Sequence, residues 1–445
     1  MNPLNRPISR ILFYSFTGFI LVLGAASAIA APTATAFVDV NVIPMNEETV
    51  LAHQTVLVEG GVISQIGAVS DVVVPEGTQV IDAQGQYLIP GLHDMHVHLN
   101  GGRRNNPIFL KQYLANGVTT VLCLKGNKII LDQREEVRAG TIPGPDIFTT
   151  GPIVAQMGAD PQTYDEGKQV VKDQVAEGYD YIKVYNEVPA EAYEGIMDQA
   201  DEMGVTVIGH AVRSVGIEGA LRRKQDVVHL EEFIYGYFGK DLDEARIPEL
   251  VAKTKASGIS VTATLVAYHT ILDQVTDLNK ALDNPATEYV PAPILTSWRE
   301  RNEYRKNFDM DDLNEYLAPS CAFIEKLTKA FQDAGVPLMA GTDAIMPVVV
   351  PGFSIYRELE YLVAAGLSPY EALATATRTP AEYLGRGAST GTIEKGKEAT
   401  FILVDANPLE DIAHARKRAG VIQRGNWMNR EALDAMLYST KPKAG

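Results

Sequence analysis

The chain has 445 residues, of which 46% are hydrophobic and 21% are charged, a composition that is ordinary for a globular protein with one large and one smaller domain. Its formal net charge of −17 at pH 7 excludes the broad basic face that binds nucleic-acid phosphates. The two cysteines, Cys123 and Cys321, are too few for a disulfide framework and are predicted to be buried free thiols.

The first thirty residues have the order of a secretory signal peptide. Arg6 and Arg10 precede the apolar run 11–23, and the small residues that follow contain Ala-Ile-Ala at 28–30 as the predicted cleavage motif. No cysteine lies there, so a lipoprotein anchor is not expected; the alternative is an uncleaved anchor, although the run is short for a full span. We predict an exported protein, periplasmic or secreted, without stable membrane association once residues 1–30 are removed.

Residues 31–91 and 388–445 are predicted to form one small β-sandwich domain from both ends of the chain. From residue 36 to residue 91 the sequence reads as short strands separated by turns, and Gly60-Gly61 is a hairpin signal. The C-terminal segment GTIEKGKEATFILVD has the same pattern of short strands and turns. We therefore expect the tail to complete the sheet that the N-terminal segment begins.

Residues 92–387 alternate short apolar strands with amphipathic helical stretches. The predicted strands are 92–99, 117–125, 146–154, 181–186, 205–211, 226–233, 259–268 and 337–344. Strands that alternate with helices pair in parallel, and eight of them predict an α/β fold of the (β/α)8 TIM-barrel type. The gap between the seventh and eighth strands is long enough to hold additional helices.

The segment YLIPGLHDMHVHLN places His96 and His98 one residue apart. Alternate side chains of a strand leave the same face, so the two imidazoles would point into one space, as ligands of a divalent metal must. Asp94 has the same parity and could orient these ligands. Taken alone, the motif could also be two unrelated histidines on an exposed strand.

Four more polar residues fall at the ends of predicted barrel strands, where this architecture places its active site. They are Lys183, His210, His229 and Asp343. Each has a structural alternative, because the lysine could form a buried ion pair, the histidines could be ordinary core residues, and the aspartate could cap a turn. Their joint occurrence with the histidine pair favours a metal centre.

Candidate substrate contacts follow the same strands. The cations are Arg103, Arg104, Lys125 and Arg213, and the remaining candidates are Tyr235, Tyr237 and His269. Cations at the mouth of an acidic protein favour a carboxylate-bearing substrate, although ordinary solvated loop charges are the alternative. Tyr235 could hydrogen-bond a substrate carbonyl, and His269, at the end of the predicted seventh strand, is another catalytic candidate; either residue could instead serve packing.

Residues 89–425 resemble the amidohydrolase superfamily, especially its imidazolonepropionase-related and prolidase-like members. The matching motifs are PGLHDMHVH, YIKVY, VIGHA, VVHLEEF, AGTDA and GTIEKGKEATFILVDANPLEDI. The resemblance implies a binuclear centre of two divalent ions, expected to be Zn²⁺, with a metal-bridging hydroxide. It assigns one ion to His96, His98 and Asp343, the other to His210 and His229, and the bridge to a carboxylated Lys183. It also implies that Asp343 carries the proton from the hydroxide to the leaving group.

The function implied is that of an exported, metal-dependent amidohydrolase. Its substrate would contain an amide, peptide-like or cyclic amide C–N bond, as in an N-acyl amino acid or a dipeptide. The alternatives are an ester, lactone or phosphotriester hydrolase with the same centre, and a non-catalytic, metal-stabilised binding protein. A small molecule is the expected partner, nucleic acid is not, and the sequence is compatible with a homo-oligomer.

Overall fold

The computed structural model describes residues 34–155 and 161–442, so the predicted signal peptide lies outside the described residues. The strands in these ranges are β1 (Ala34–Val42), β2 (Leu51–Glu59), β3 (Val62–Ala68), β4 (Gln79–Asp82), β5 (Tyr87–Pro90), β6 (Leu92–Val97), β7 (Val118–Cys123), β8 (Asp146–Thr149), β9 (Ile182–Val184), β10 (Val207–Gly209), β11 (Asp226–Val228), β12 (Val261–Thr262), β13 (Leu338–Met339), β14 (Phe401–Val404), β15 (Arg418–Gln423) and β16 (Asn426–Asn429).

The α-helices are α1 (Gly102–Ala115), α2 (Lys128–Arg138), α3 (Tyr164–Glu177), α4 (Ala190–Met203), α5 (Gly216–Arg223), α6 (Glu231–Phe233), α7 (Ile247–Ser257), α8 (Leu265–Leu282), α9 (Ala292–Glu300), α10 (Tyr304–Asn307), α11 (Met310–Asp312), α12 (Ala318–Ala334), α13 (Ser354–Ala364), α14 (Pro369–Thr375), α15 (Arg378–Tyr383) and α16 (Arg430–Tyr438). Short 3-10 helices span Glu244–Arg246, Pro285–Tyr289 and Ile412–Arg416, and π-helices span Ile234–Phe238 and Leu313–Leu317. No helix in the described ranges is long and apolar enough to cross a membrane.

Strands from both ends of the described chain form one mixed sheet. Its order is β16-β15-β14-β5-β1-β2-β3, with β4 paired to β1. The two ends meet at β5, where Ile89 pairs with Ile402 of β14 in antiparallel register. Phe37 and Phe401 are fully buried on this sheet and pack edge to face, with ring centroids 5.3 Å apart. The sandwich arrangement and the domain boundaries stay predictions.

The other eight strands pair in parallel, as the alternating pattern predicts. They form a three-stranded sheet, β6-β7-β8, and a five-stranded sheet, β13-β12-β11-β10-β9. Isolated parallel bridges link the two sheets, from Thr150 to Tyr181 and from Val154 to Val184 between the β8 and β9 segments, and from Val97 to Ala344 between the β6 and β13 segments. Every residue of β6, β7, β9 and β10 is buried, as expected for parallel strands covered on both faces. The predicted α/β class is confirmed, and the closed barrel stays a prediction.

The mixed sheet leads directly into the strand that carries the histidine pair. β5 ends at Pro90 and β6 begins at Leu92. Between them, the Gly91 N–H donates to the Thr400 carbonyl at 3.1 Å, which ties the junction to the segment that enters β14. A side chain at Gly91 would place its Cβ 2.2 Å from the Thr119 hydroxyl oxygen, so only glycine fits. The small sheet therefore fixes where β6 starts.

The predicted seventh strand is wrong beyond Thr262. β12 covers only Val261–Thr262 and α8 begins at Leu265, so Tyr268 and His269 are helical. The sequence LVAY is apolar throughout, and periodicity does not distinguish a buried strand from a buried helix in so short a run. The long gap that follows is filled by α8 to α12, in agreement with the predicted additional helices.

Candidate metal centre

His96, His98 and Asp343 converge at the end of the parallel strands. The Nε2 atoms of the two histidines lie 3.3 Å apart, and Oδ1 of Asp343 lies 2.9 Å from Nε2 of His98 and 3.4 Å from Nε2 of His96. His96 is buried, whereas His98 and Asp343 are partly exposed. Three ligand atoms this close together, from two imidazoles and a carboxylate, match one metal site open to solvent on one side.

His210 and His229 face the same space from the next strands. The ring of His229 lies 4.6 Å from that of His96 and 4.7 Å from that of His210, between centroids. Nδ1 of His210 is 2.6 Å from Oε1 of Glu232, and Nδ1 of His229 is 2.8 Å from Oγ1 of Thr264. With each Nδ1 held in this way, Nε2 is the nitrogen free to bind a metal.

Burial keeps these imidazoles neutral. It lowers the pKa of His96 and of His210 well below the usual value, and the nearby Lys183 charge lowers both further. Burial, with His210 beside it, lowers the pKa of His229 to about 3. A neutral imidazole has the lone pair that a metal ligand must donate, so the electrostatics of the pocket fit a cation.

Lys183 is buried and interacts electrostatically with His96, His210, His229 and Asp343. Its side chain is 1% exposed, and its Nζ has no hydrogen-bond partner among the described residues. Burial lowers its pKa to about 7, against the opposing effects of Asp343 and Glu232. An amine with a pKa of about 7 is partly unprotonated at neutral pH, and the unprotonated amine is the nucleophile that addition of CO₂ to form a carbamate requires.

Asp343 remains ionised although it lies in this enclosed pocket. Burial acts to raise the pKa of its carboxyl, but the hydrogen bond from His98 and the electrostatic interactions with His98, His229 and Lys183 together hold that pKa below its usual value. An anionic Asp343 can bind a cation and later accept a proton.

Asp94 holds the loop that carries Asp343. Its Oδ1 accepts from the Thr342 N–H at 2.9 Å and its Oδ2 from the Thr342 hydroxyl at 2.6 Å. Next to it, a Cβ on Gly341 would lie 2.5 Å from Thr262 Cγ2 and 2.9 Å from His96 Cβ, so the motif AGTDA needs glycine for this close approach. Asp94 thus orients the site, as its parity suggested.

Three residues of the site have left-handed backbone conformations. The φ angles are 74° for His229, 53° for Thr264 and 61° for Asp343. Non-glycine residues rarely adopt positive φ, and such conformations persist only where the surrounding structure holds them, commonly at functional sites. Sequence patterns contain no signal for these angles.

Two of the four candidate substrate cations are already paired with acidic side chains. Arg103 lies on α1 and pairs with Asp132 at 2.6 Å and Glu136 at 2.7 Å, and Arg213 pairs with Glu187 at 2.6 Å. In the described part of the chain, neither Arg104 nor Lys125 forms an ion pair with a carboxylate. Two of the four cations are thus already neutralised by surface carboxylates.

The aromatic candidates lie on helical segments after β11 and β12. Tyr235 is half exposed and stacks on Tyr316 with ring centroids 6.4 Å apart. Tyr237 packs under the Arg246 guanidinium, 4.4 Å from its ring centroid. His269 stacks on Tyr361 at 4.1 Å between centroids, and its Nε2 lies 3.2 Å from Glu325. Its position on α8 replaces the predicted position at a strand end.

Sequence analysis missed Glu232 and Thr264. Glu232 stands in the motif VVHLEEF, three residues after His229, and a buried carboxylate so close to a ligand was a usable signal. Thr264 stands inside an apolar run that was predicted to be strand, so nothing in the sequence distinguished it.

Comparison with known proteins agrees with this geometry. Residues 87–428 match the model of the amidohydrolase family. A dihydroorotase from Trichlorobacter lovleyi is 26% identical over 250 residues, which is 49% of this chain and 57% of that relative. The matched part of the chain thus spans little more than half of that relative's length.

Two solved structures are similar over most of the chain. The bottromycin amidohydrolase has a TM-score of 0.73 and 22% identity, covering 92% of this chain and 91% of its own. A Xaa-Pro dipeptidase with bound methionine has a TM-score of 0.69 and 20% identity, and the match covers 89% of this chain and 100% of the dipeptidase chain. At such identities the likeness concerns the fold. The family match covers most of the chain and includes every ligand candidate, so the chain belongs to the amidohydrolase family of enzymes, whose members use a binuclear metal centre.

Proposed function

We propose that this protein is a metal-dependent hydrolase that cleaves a carbon–nitrogen bond in an amide, peptide-like or cyclic amide substrate. The observation that carries the proposal is the cluster of four imidazoles with Asp343 and the buried Lys183 at the ends of parallel strands; His96 and His229 are buried. Active sites of (β/α)8 barrels lie at this end of the strands. A closed barrel is part of the proposal, and the three parallel bridges between the sheets support it.

Two divalent cations, which we propose to be Zn²⁺, fit the donor set. One ion would be held by His96, His98 and Asp343, the other by His210 and His229, with carboxylated Lys183 between them. When bound, such ions would polarise the substrate carbonyl and acidify the attacking water. The partnerless Nζ of Lys183 supports the carbamate, because a buried amine without a hydrogen bond is otherwise costly.

The side chains around the two ions have separate proposed roles in proton transfer, ligand orientation and substrate binding. Asp343 would accept the proton of the attacking water and deliver it to the leaving nitrogen, since its carboxylate is anionic and partly exposed toward the mouth. Glu232 and Thr264 would keep His210 and His229 in the tautomer with Nε2 unprotonated. Tyr235, half exposed beyond β11, is our candidate for binding the substrate carbonyl.

A carboxylate-bearing small molecule, such as an N-acyl amino acid or a dipeptide, is the proposed substrate. Of the four cations, Arg104 and Lys125 are the better candidates to bind its carboxylate, because Arg103 and Arg213 already pair with acidic side chains. An ester, lactone or phosphotriester could react at the same centre. Turnover of a mixed panel of N-acyl amino acids, dipeptides, lactones and phosphotriesters would separate these classes.

Metal analysis tests the proposal without a known substrate. The purified protein is expected to carry about two divalent ions per chain, because the donors divide into two groups. His98→Ala and His210→Ala should each lose about one ion, whereas the exposed control His53→Ala should lose none. One tightly bound ion per chain, unaffected by His210→Ala and His229→Ala, would contradict the binuclear centre.

We also propose that the protein is exported and that residues 1–30 are removed. The mature chain is then expected to begin close to Ala31, which N-terminal sequencing of secreted or periplasmic material would measure. As a control, replacing Ala28 and Ala30 with leucine should block cleavage and leave a longer chain. Mature material that still begins at Met1 would favour a membrane anchor instead.

A further inference from the structure

Glu358 is a buried carboxylate outside the proposed metal centre. It lies on α13 with no exposed surface, and its Oε2 accepts a hydrogen bond from the Val266 N–H at 2.6 Å. Val266 belongs to the first turn of α8, where backbone N–H groups have no partner within the helix. The Glu358 carboxyl oxygen satisfies one of these donors at the N-terminus of the helix.

The residue that this contact holds in place is Thr264, which precedes α8. Thr264 is fully buried with φ 53° and ψ 39°, an unfavourable conformation for a β-branched residue. Its Oγ1 lies 2.8 Å from Nδ1 of His229, whose Nε2 points toward Asp343 with 4.0 Å to Oδ2. The first turn of α8 is thus tied to Glu358 through its backbone and to His229 through the threonine side chain.

We propose that Glu358 is a positioning residue for His229. By holding the first turn of α8, it keeps the Thr264 oxygen where it accepts the Nδ1 proton of His229, which leaves Nε2 unprotonated for a metal ion. The inference rests on the proposed role of His229 as a ligand. Partners of this kind fix the tautomer and ring orientation of a ligand, and their loss typically lowers metal affinity by about 10- to 100-fold.

Zinc affinity, measured by transfer to a chromophoric chelator, tests the proposal together with the melting temperature. Thr264→Val and Glu358→Leu are each expected to weaken zinc binding by about 10- to 100-fold. The double variant should be no weaker than the worse single variant, because both changes act on one hydrogen bond. Thr264→Ser, which keeps the hydroxyl, should bind zinc like the wild type.

Tyr356→Phe is the matched control. It removes another buried hydrogen bond of α13, from the tyrosine hydroxyl to the Asn116 carbonyl. This change should lower the melting temperature and leave zinc affinity unaltered. Thr264→Gly separates the two effects further, since glycine adopts positive φ without strain. It should retain the wild-type melting temperature while its zinc affinity falls.

If Glu358→Leu does not fold, the Thr264 variants still test the inference, because Glu358 is proposed to affect His229 only through Thr264. Wild-type zinc affinity in both Thr264→Val and Thr264→Gly would overturn the inference, and so would additive losses in the double variant. A wild-type protein that binds fewer than two ions would overturn the proposed function instead, so the two failures are distinguishable.

Discussion

Asp343→Asn is expected to lower kcat by at least about 10²- to 10⁴-fold, the range that general acid–base catalysis typically supplies. Asparagine keeps nearly the same shape and one oxygen close to His98, but it cannot accept a proton at neutral pH. The variant should therefore fold, retain much of its metal and bind substrate. Steady-state kinetics on a substrate found with the panel, together with metal analysis, would measure the loss.

The control for this experiment is Asp226→Asn. Asp226 is also a buried aspartate, but it lies at the start of β11 and bonds to Tyr383 and the Ser260 N–H. Its replacement should leave kcat unchanged within about a factor of two even if stability falls. If Asp343→Asn raised only KM, the carboxylate would merely position substrate. A wild-type rate with full metal would reject it as the proton carrier.

Lys183→Ala is expected to remove most of the bound metal and nearly all turnover. Lys183 is buried, and in the proposed centre its carbamate is the anionic ligand that both ions share, which alanine would remove. A small carboxylic acid added in excess should restore part of the activity, because it can occupy the space of the missing carbamate. Metal content and rate, each measured with and without the acid, give the result.

Lys125→Ala provides the comparison for Lys183→Ala. Lys125 follows β7 and is only partly buried, so its loss should leave metal content unaltered and raise KM at most. Two tightly bound ions and full activity in Lys183→Ala would refute the carbamate. Intact mass spectrometry is a poor substitute for these measurements, because carbamates decompose in acid.

The cluster of proposed metal ligands could be predicted from the sequence because each is a polar residue in or just after a short apolar strand. His96, His210 and Asp343 stand at such positions, and parallel strands bring their carboxyl ends to one edge wherever they lie in the chain. Local pattern was therefore sufficient to bring together residues almost 250 positions apart.

The residues around the ligands could not be predicted in the same way. Thr264 and Glu358 are 94 positions apart and meet only because α8 packs against α13. No periodicity encodes that contact. The predicted length of the seventh strand was wrong for a related reason. A short apolar run is compatible with both a strand and a helix, and only tertiary packing decides between them. Positive φ at His229 likewise depends on neighbours remote in sequence.

The mixed sheet has a consequence for the biosynthesis of the protein. β5 bonds to β14, whose residues are about 310 positions later in the chain. While the ribosome is still making the intervening helices, one edge of β5 therefore has no partner, and an open edge of this kind invites pairing with other chains. Contacts of such long range also slow folding. We expect chains truncated before Phe401 to aggregate, even though every metal ligand is already present in them.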